Sequence, residues 1–71
     1  MVESRNGLNM LKATLKAYPL IWFDNNSMAL FLEIDRKTVS RNREKIKTEM
    51  KKGIATVDIE ERGRYFRILL D

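Results

Sequence analysis

The 71-residue sequence contains neither cysteine nor histidine. The lack of cysteine excludes a disulfide framework and any thiolate metal site that could supplement the core. The lack of histidine removes the commonest zinc ligand and the commonest general base of enzymes. Catalysis would therefore depend on carboxylates and lysines, and no pair of these falls in an evident cleft. We expect no enzymatic activity, no metal and no cofactor, and no pocket for a small-molecule ligand is evident.

Long apolar runs are also missing. The longest occupy residues 20–23 and 28–32, whereas a helix that crosses a bilayer needs roughly 20 consecutive apolar residues. The first residues, MVESRNG, lack the apolar segment of a secretory signal. We therefore expect a cytoplasmic protein without a membrane partner. The length and the 44% hydrophobic content indicate one globular domain over residues 1–71, with a flexible polar segment at residues 1–6.

Positive charge is concentrated in one segment of the chain. Residues 35–52 contain eight basic and three acidic residues, a net charge of +5, whereas the whole chain carries +4. Such a concentration of charge on one element is typical of proteins that bind polyanions. Charge alone leaves the alternative open that this is a solvated, lysine-rich helix of no special function.

Helical spacing of apolar residues predicts a first helix over residues 7–18, which Pro19 ends. Its core-facing stripe consists of Leu8, Leu11, Leu15 and Tyr18. The apolar residues 20–23 predict a short strand or an extended connector, whose candidate partner strands lie near the C-terminus. Trp22 in this stretch has two interpretations, as a surface anchor for a partner protein or as a residue packed in the core or at a sheet edge.

Residues 24–51 predict two helices joined by a tight turn. Asp24 is a suitable N-cap for a helix over residues 25–33, in which Met28 and Leu32 face inward, with Phe31 as a further candidate. Asp35 is a second N-cap, so that Arg36 begins the next helix. Gly53, which follows two lysines, suits the end of that helix.

In this longer helix, a rotation of about 100° per residue places Val39, Ile46 and Met50 on the core face. Arg43 falls on the same face, which is unexpected for a charged residue. Two alternatives remain open: its aliphatic stem lies on the core with the charge directed outward, or the side chain faces a partner subunit. The opposite face presents Lys37, Ser40, Arg41, Glu44 and Thr48, with Lys45 at the flank.

Residues 54–70 change to an alternating pattern, which predicts a β-hairpin. A two-residue turn at Arg62-Gly63 predicts the pairs Glu61–Arg64, Glu60–Tyr65, Ile59–Phe66, Asp58–Arg67, Val57–Ile68 and Ala55–Leu70. This register brings apolar residues together on one face and opposite charges together in two pairs. The tip of the hairpin would carry Arg62 and Arg64.

The spacing of seven residues in the helix pair resembles the helix-turn-helix signature of bacterial and phage transcription regulators: Ala29, Leu32, Ile34, Thr38, Val39, Ser40 and Arg41. With the hairpin, residues 7–70 resemble the winged helix-turn-helix family. The resemblance implies an α+β fold of three helices, a short strand and a C-terminal β-hairpin wing. Glu33 stands where the family usually has glycine, which leaves open a looser turn or a different backbone geometry. The longer helix exceeds the usual length by about one turn, which leaves the angle of the wing to DNA open.

The resemblance implies that the outer face of the longer helix meets double-stranded DNA in the major groove. Arg41 is expected to contact a base, because a guanidinium can bond O6 and N7 of guanine together. Lys37 and Ser40 are candidates for base or phosphate contacts. Phosphate contacts are expected from Arg36, Thr38 and Lys45, and contacts to the backbone or the neighbouring minor groove from Arg62 and Arg64. Glu44 either accepts a hydrogen bond from a cytosine amino group or pairs with Arg41 or Lys47.

The resemblance thus implies sequence-specific DNA binding by a nucleoid-associated regulator of transcription, or of the replication or recombination of a mobile element. Because one small domain contacts few base pairs, a homodimer or adjacent sites are expected to supply useful affinity. The alternative is a winged domain that binds protein, such as an anti-repressor or assembly adaptor. Its contact surface would consist of Trp22, Arg43, Tyr65 and Leu69.

Overall fold

The computed structural model describes residues 6–70, which form three α-helices followed by a two-stranded antiparallel hairpin. The helices are α1 (Asn6–Ala17), α2 (Asn25–Leu32) and α3 (Arg36–Lys52), and the strands are β1 (Ile59–Arg62) and β2 (Tyr65–Ile68). The predicted α+β class is confirmed, and the order of the elements is compatible with a winged helix. No helix within residues 6–70 has the length and apolar character needed to cross a membrane. The predicted flexible segment falls on residues 1–5, outside the described residues, and on Asn6, which begins α1.

The core lies between the three helices and the inner face of the hairpin. Phe23 and Phe66 join these parts, because the amide of each donates to the carbonyl oxygen of the other, at 2.9 and 2.7 Å. The strand predicted over residues 20–23 therefore reduces to a one-residue bridge at Phe23, and Leu20 is 70% exposed. The buried apolar side chains are Leu11, Leu15, Phe23, Met28, Ala29, Val39, Ile46, Val57, Ile59 and Phe66.

Two aromatic residues that were predicted to face the core lie at its edge instead. Tyr18 is 44% exposed and Phe31 is 54% exposed, and their rings meet edge to face with centroids 5.6 Å apart. Tyr18 follows the last residue of α1, so the helical stripe no longer determines its direction. The face of α2 centred on Met28 is the buried one, which leaves Phe31 at the border, where its ring lies 6.2 Å from that of Phe23.

The two predicted aspartate caps are confirmed. The Asp24 carboxylate accepts a hydrogen bond from the Ser27 amide at 2.7 Å, and the Ser27 hydroxyl accepts one from the Asp24 amide at 3.0 Å. The bond from the Ser27 amide is the main cause that lowers the pKa of Asp24, because it stabilises the ionised carboxylate. Asp35 accepts from the Lys37 amide at 2.8 Å. These caps satisfy amides that lack partners within the first turn of each helix.

Glu33 ends α2 in a left-handed conformation, with φ 58° and ψ 44°. The following amide, that of Ile34, donates back to the carbonyl oxygen of Ala29 at 3.0 Å, which closes the helix end tightly. The turn is therefore not loosened by the absence of glycine. Instead, Glu33 adopts the backbone geometry that glycine adopts most readily, which costs roughly 1–2 kcal/mol for an L-residue.

We expect Glu33→Gly to stabilise the protein by about 0.5–1 kcal/mol. Relief of the left-handed backbone is partly offset by the larger conformational entropy that glycine gives to the unfolded chain. Glu33→Val is the matched control and is expected to destabilise, because a β-branched residue is least compatible with positive φ. Thermal and urea denaturation followed by circular dichroism measure both changes. Equal stability of the two variants would show that the backbone at position 33 is not strained.

The predicted hairpin register is wrong. The turn lies at Gly63-Arg64, and the pairs are Ile59↔Ile68, Glu60↔Arg67, Glu61↔Phe66 and Arg62↔Tyr65. Gly63 has φ 60° and is the first central residue, the position at which a type II′ turn requires glycine. Arg67 consequently pairs with Glu60, at 2.9 Å, rather than with Asp58. The turn shift slides the strands by two residues, so every side chain keeps its predicted face. Apolar matching favoured the predicted register, because the observed one places Phe66 opposite Glu61.

Candidate functional site

An open cleft of about 530 Å³ separates the start of α2, the start of α3 and the hairpin tip. Each element contributes polar side chains, because both helices begin here and the turn between the strands faces them. The cleft brings together Arg36, Lys37, Ser40 and Arg64, four of the residues predicted to bind DNA. Its lining comprises Asp24, Asn25, Asn26, Arg36, Lys37, Ser40, Arg43, Gly63 and Arg64.

The cleft is positively charged. Within residues 6–70, Arg36, Lys37 and Arg64 form no ion pair, so these cations remain available to an external anion. Asp24 is the one carboxylate among the lining residues. It is engaged as the cap of α2, and after the Ser27 hydrogen bonds its attraction to Arg64 also lowers its pKa. The amino-terminal ends of two helices add partial positive charge in the same place. The arrangement therefore suits a phosphate group better than a cation or an apolar ligand.

Arg41 and Lys45 lie apart from the cleft, along the exposed face of α3. They line a second shallow groove together with Glu44, Thr48, Glu49, Lys52 and Ile54. Glu44 pairs with Lys47 at 3.2 Å, and this hydrogen bond is the main cause that raises the pKa of Lys47. Of the partners predicted for Glu44 within the chain, Lys47 is the one found. Arg41 is thus left without an ion pair in the part of the chain that the structure describes.

Thr38 is half-buried and faces a different neighbour. Its Cγ2 atom would lie 3.3 Å from a Cβ atom added at Gly7, so Thr38 lies against the start of α1. The buried Asn42 lies at the same place, with Nδ2 2.8 Å from that position. The structure therefore does not bring Thr38 together with the exposed residues of α3. A Cβ atom at position 7 would require the side-chain amide of Asn42 to shift.

Arg62 lies on the opposite face of the hairpin from the cleft. Its guanidinium is 5.2 Å from the centre of the Trp22 ring, and that of Arg67 is 4.4 Å from the same ring. Cation–π contacts of this kind stabilise by about 0.5–1 kcal/mol at exposed sites. Trp22 therefore packs beneath the outer face of the hairpin, at a sheet edge, which is one of its two predicted roles. Of the two arginines at the tip, only Arg64 lines the cleft.

Both alternatives predicted for Arg43, a charge directed outward and contact with a partner subunit, are wrong. Its charged group is buried against residues of its own chain. The side chain is 11% exposed, and Nε donates to Glu61 Oε2 at 2.6 Å. Nη1 donates to Asn25 Oδ1 and to the backbone carbonyl of Arg64, each at 3.1 Å. The guanidinium also lies 4.4 Å from the centre of the Phe66 ring. Arg43 is therefore held by its own chain, in contrast to both predictions.

Glu61 connects the hairpin to α3 through two cations, Arg43 and Lys47, the latter at 3.2 Å. Burial of the Glu61 carboxyl acts to raise its pKa, but hydrogen bonds from Arg43 and Lys47 outweigh burial and lower the pKa below its ordinary value. The predicted pairing of Glu61 with Arg64 is therefore replaced by a bond to α3. Because Glu61 pairs with Arg43, the guanidinium of Arg43 can be buried with its charge neutralised.

No protein-family model, curated protein or solved structure matches this chain. Within residues 6–70, no group of three or more acidic side chains is placed to hold a metal ion.

The sequence did not indicate that Asn25 and Asn26 line the cleft. The polar run that contains them indicates the start of a helix, and Asp24 and Ser27 cap that start. Which side of that start faces α3 and the hairpin depends on how the helices cross, and spacing along the chain does not determine this. The sequence marks Arg43 as unusual. Identifying Glu61 as its partner requires the correct hairpin register, which the sequence did not determine.

Proposed function

We propose that this chain is a winged helix-turn-helix protein that binds double-stranded DNA. In this proposal α3 enters the major groove, and the hairpin is the wing that contacts the adjacent backbone. The observation that carries the proposal is the cleft, in which Arg36 and Lys37 of α3 face Arg64 of the hairpin tip. Two separate elements thus present cations without an ion pair in residues 6–70 to one open groove, as contacts to a phosphate backbone require.

The distribution of ion pairs supports the same function. Three cations that lie toward the hairpin or on its strands are engaged by carboxylates of the protein, in the pairs Arg43–Glu61, Lys47–Glu61 and Arg67–Glu60. The exposed cations of α3 and of the tip form no ion pair within residues 6–70, namely Arg36, Lys37, Arg41, Lys45, Lys51, Lys52, Arg62 and Arg64. DNA phosphates would therefore pair with these side chains without breaking an internal ion pair.

The two grooves give the proposed contacts different roles. Arg41 projects from the exposed face of α3 and is assigned a base contact, with Lys37 and Ser40 beside it for base or phosphate. Arg36, Lys45 and Arg64 are assigned to phosphate, which sets orientation without reading sequence. Arg62, bound over Trp22, contributes to the field of the protein more than to direct contact. A regulator of transcription, or of mobile-element replication or recombination, located at the nucleoid and acting as a dimer, fits this assignment.

The alternative function, a domain that binds protein, loses two of its four expected contact residues. Arg43 is buried and bonded within the chain, and Trp22 is half-buried beneath two guanidinium groups. Salt dependence distinguishes the functions directly. The log of the DNA affinity falls linearly with the log of salt concentration, by about 0.9 per phosphate contact, whereas an apolar protein interface is much less sensitive to salt.

The first test is the selection of bound duplexes from a random pool, followed by affinity measurements with two variants. We expect Arg41→Ala to lower affinity for the selected duplex about 10- to 100-fold and to relax its base preference, because a bidentate base contact is lost. We expect Lys45→Ala to weaken selected and random duplexes by the same factor, because phosphate contacts carry no sequence information. Fluorescence anisotropy with both duplexes measures the two effects.

The control is Lys16→Ala, which removes one exposed charge at the end of α1, away from both grooves. Its affinity for either duplex should remain within about twofold of the unsubstituted protein, since a screened distant charge contributes little. Equal losses for Arg41→Ala on selected and random duplexes would contradict base reading by α3. An absence of any enriched or bound duplex at low salt would contradict DNA binding altogether.

A further inference from the structure

Arg43 joins the hairpin tip to both helices that border the cleft. One edge of its guanidinium is fixed by Glu61 of β1, and the other edge by Asn25 of α2 and the backbone of Arg64. The planar group also lies over the ring of Phe66, on β2. A single side chain of α3 therefore contacts both other elements that border the cleft, α2 and the hairpin.

We propose that Arg43 is a positioning residue, which fixes the hairpin tip so that the Arg64 side chain lies in the cleft opposite Arg36. The ligand of the positioned cation is a DNA phosphate, and this part rests on the proposed function. The positioning itself is a property of the protein without DNA. Arg43 is assigned to positioning rather than to ligand contact, because its side chain is 11% exposed and its Nε and Nη1 donors are occupied within the chain.

The hairpin needs such a contact to hold its tip. The sheet has only two strands, and an isolated two-stranded hairpin is marginally stable in water. The bridge between Phe23 and Phe66 anchors the strands, but the residues of the turn, Gly63 and Arg64, lie beyond it and are exposed. The bond from Arg43 to the Arg64 carbonyl acts on the residue whose side chain lines the cleft. It is therefore placed to set the distance between that side chain and α3.

The substitution Arg43→Lys separates positioning from charge. Lysine keeps the positive charge, but a compact ammonium cannot reproduce a planar fork that bonds Glu61 on one edge and Asn25 on the other. We expect faster hydrogen exchange of the backbone amides at residues 62–66 in the free protein, with exchange in α3 unchanged. Unchanged exchange at the tip would overturn the proposal whether or not the protein binds DNA.

A double-mutant cycle then tests the effect on the ligand, with a short mixed-sequence DNA duplex as the probe. We expect Arg64→Ala and Arg43→Lys each to lower affinity about 5- to 10-fold, and the double variant to bind no more weakly than Arg64→Ala alone. Multiplicative losses would show that Arg43 does not act through Arg64 and would overturn the proposal. A duplex that the unsubstituted protein does not bind would defeat the proposed function, while the exchange measurement still decides the positioning.

Two further variants keep the test decisive if Arg43→Lys does not fold. Glu61→Gln weakens the same contact from the hairpin side, because it removes the charge that holds Nε, and it should show the same coupling to Arg64→Ala. Lys47→Met is the matched control, since it removes the other cation bound to Glu61 but leaves the bonds of Arg43 in place. Its loss of affinity should multiply with that of Arg64→Ala. Coupling of Arg64 to Lys47 as strong as to Glu61 would overturn the assignment to Arg43.

Discussion

Replacing Phe66 by alanine is expected to remove a large part of the stability of the domain. The Phe66 side chain is fully buried in the core, and its backbone carries both hydrogen bonds to Phe23. Truncation of a buried phenylalanine costs about 3–5 kcal/mol, through lost transfer free energy and the cavity that remains. The guanidinium of Arg43 would also lose the ring over which it lies, so a buried charge would face a void.

The size of the protein makes this loss decisive. Stability amounts to roughly 0.05–0.15 kcal/mol per residue, which gives about 3.5–11 kcal/mol for 71 residues. The substitution therefore removes a large fraction of the total. Urea denaturation followed by circular dichroism measures the change as a shift of the midpoint.

Tyr65→Ala is the matched control for Phe66→Ala. Tyr65 is the neighbouring residue on the same strand, but it lies on the outer face of the hairpin and is 45% exposed. Its truncation is expected to cost about 1 kcal/mol or less, because exposed side chains contribute little. If Phe66→Ala were no more costly than Tyr65→Ala, the placement of β2 against the helices would be wrong.

Features determined by neighbours in the chain could be predicted from the sequence. Asp24 and Asp35 cap their helices as predicted, since an N-cap depends on residues within one turn. Gly53 ends α3 with φ 73°, the geometry for which glycine was assigned. The core face of α3 also followed from its period, with Val39 and Ile46 fully buried.

Features determined by tertiary contacts were predicted less well. The hairpin register failed because both candidate turns place Ile59 and Phe66 on the inner face, so burial could not choose between them. Gly63 determines the register, because its positive φ places it first in the turn. The alternation of apolar residues did not reveal this position. That single error also concealed the partner of Arg43, because Glu61 was assigned to the opposite strand rather than to α3.

The candidate site shows the same division. The outward direction of Lys37, Ser40 and Arg41 followed from helical geometry. The separation of Arg62 from Arg64 at the hairpin tip was not predicted. Their sequence positions differ by two, and both were expected to point toward the same ligand. Arg62 is a strand residue whose alternation places it on the outer face, over Trp22, whereas Arg64 belongs to the turn and lines the cleft.

Removing both sides of the cleft is expected to have the largest effect on DNA binding. The double variant Arg36→Ala/Arg64→Ala takes one unpaired cation from α3 and one from the hairpin tip. Loss of two phosphate contacts should lower affinity for a mixed-sequence duplex about 100-fold at low salt. It should also reduce the slope of log affinity against log salt by about 2. Because neither side chain is buried or ion-paired within residues 6–70, the melting temperature should change by only a few degrees.

The decisive comparison is with Lys16→Ala/Arg62→Ala, which lowers the net charge of the protein by the same two units. Lys16 lies on α1 and Arg62 lies over Trp22, so both are outside the cleft. If binding depends on position, this control should lose about threefold or less, since its charges act only through a screened field. If both double variants lose affinity equally, net charge alone drives binding and the cleft has no special role. Anisotropy titrations at several salt concentrations separate the two results, because only direct phosphate contacts change the salt slope.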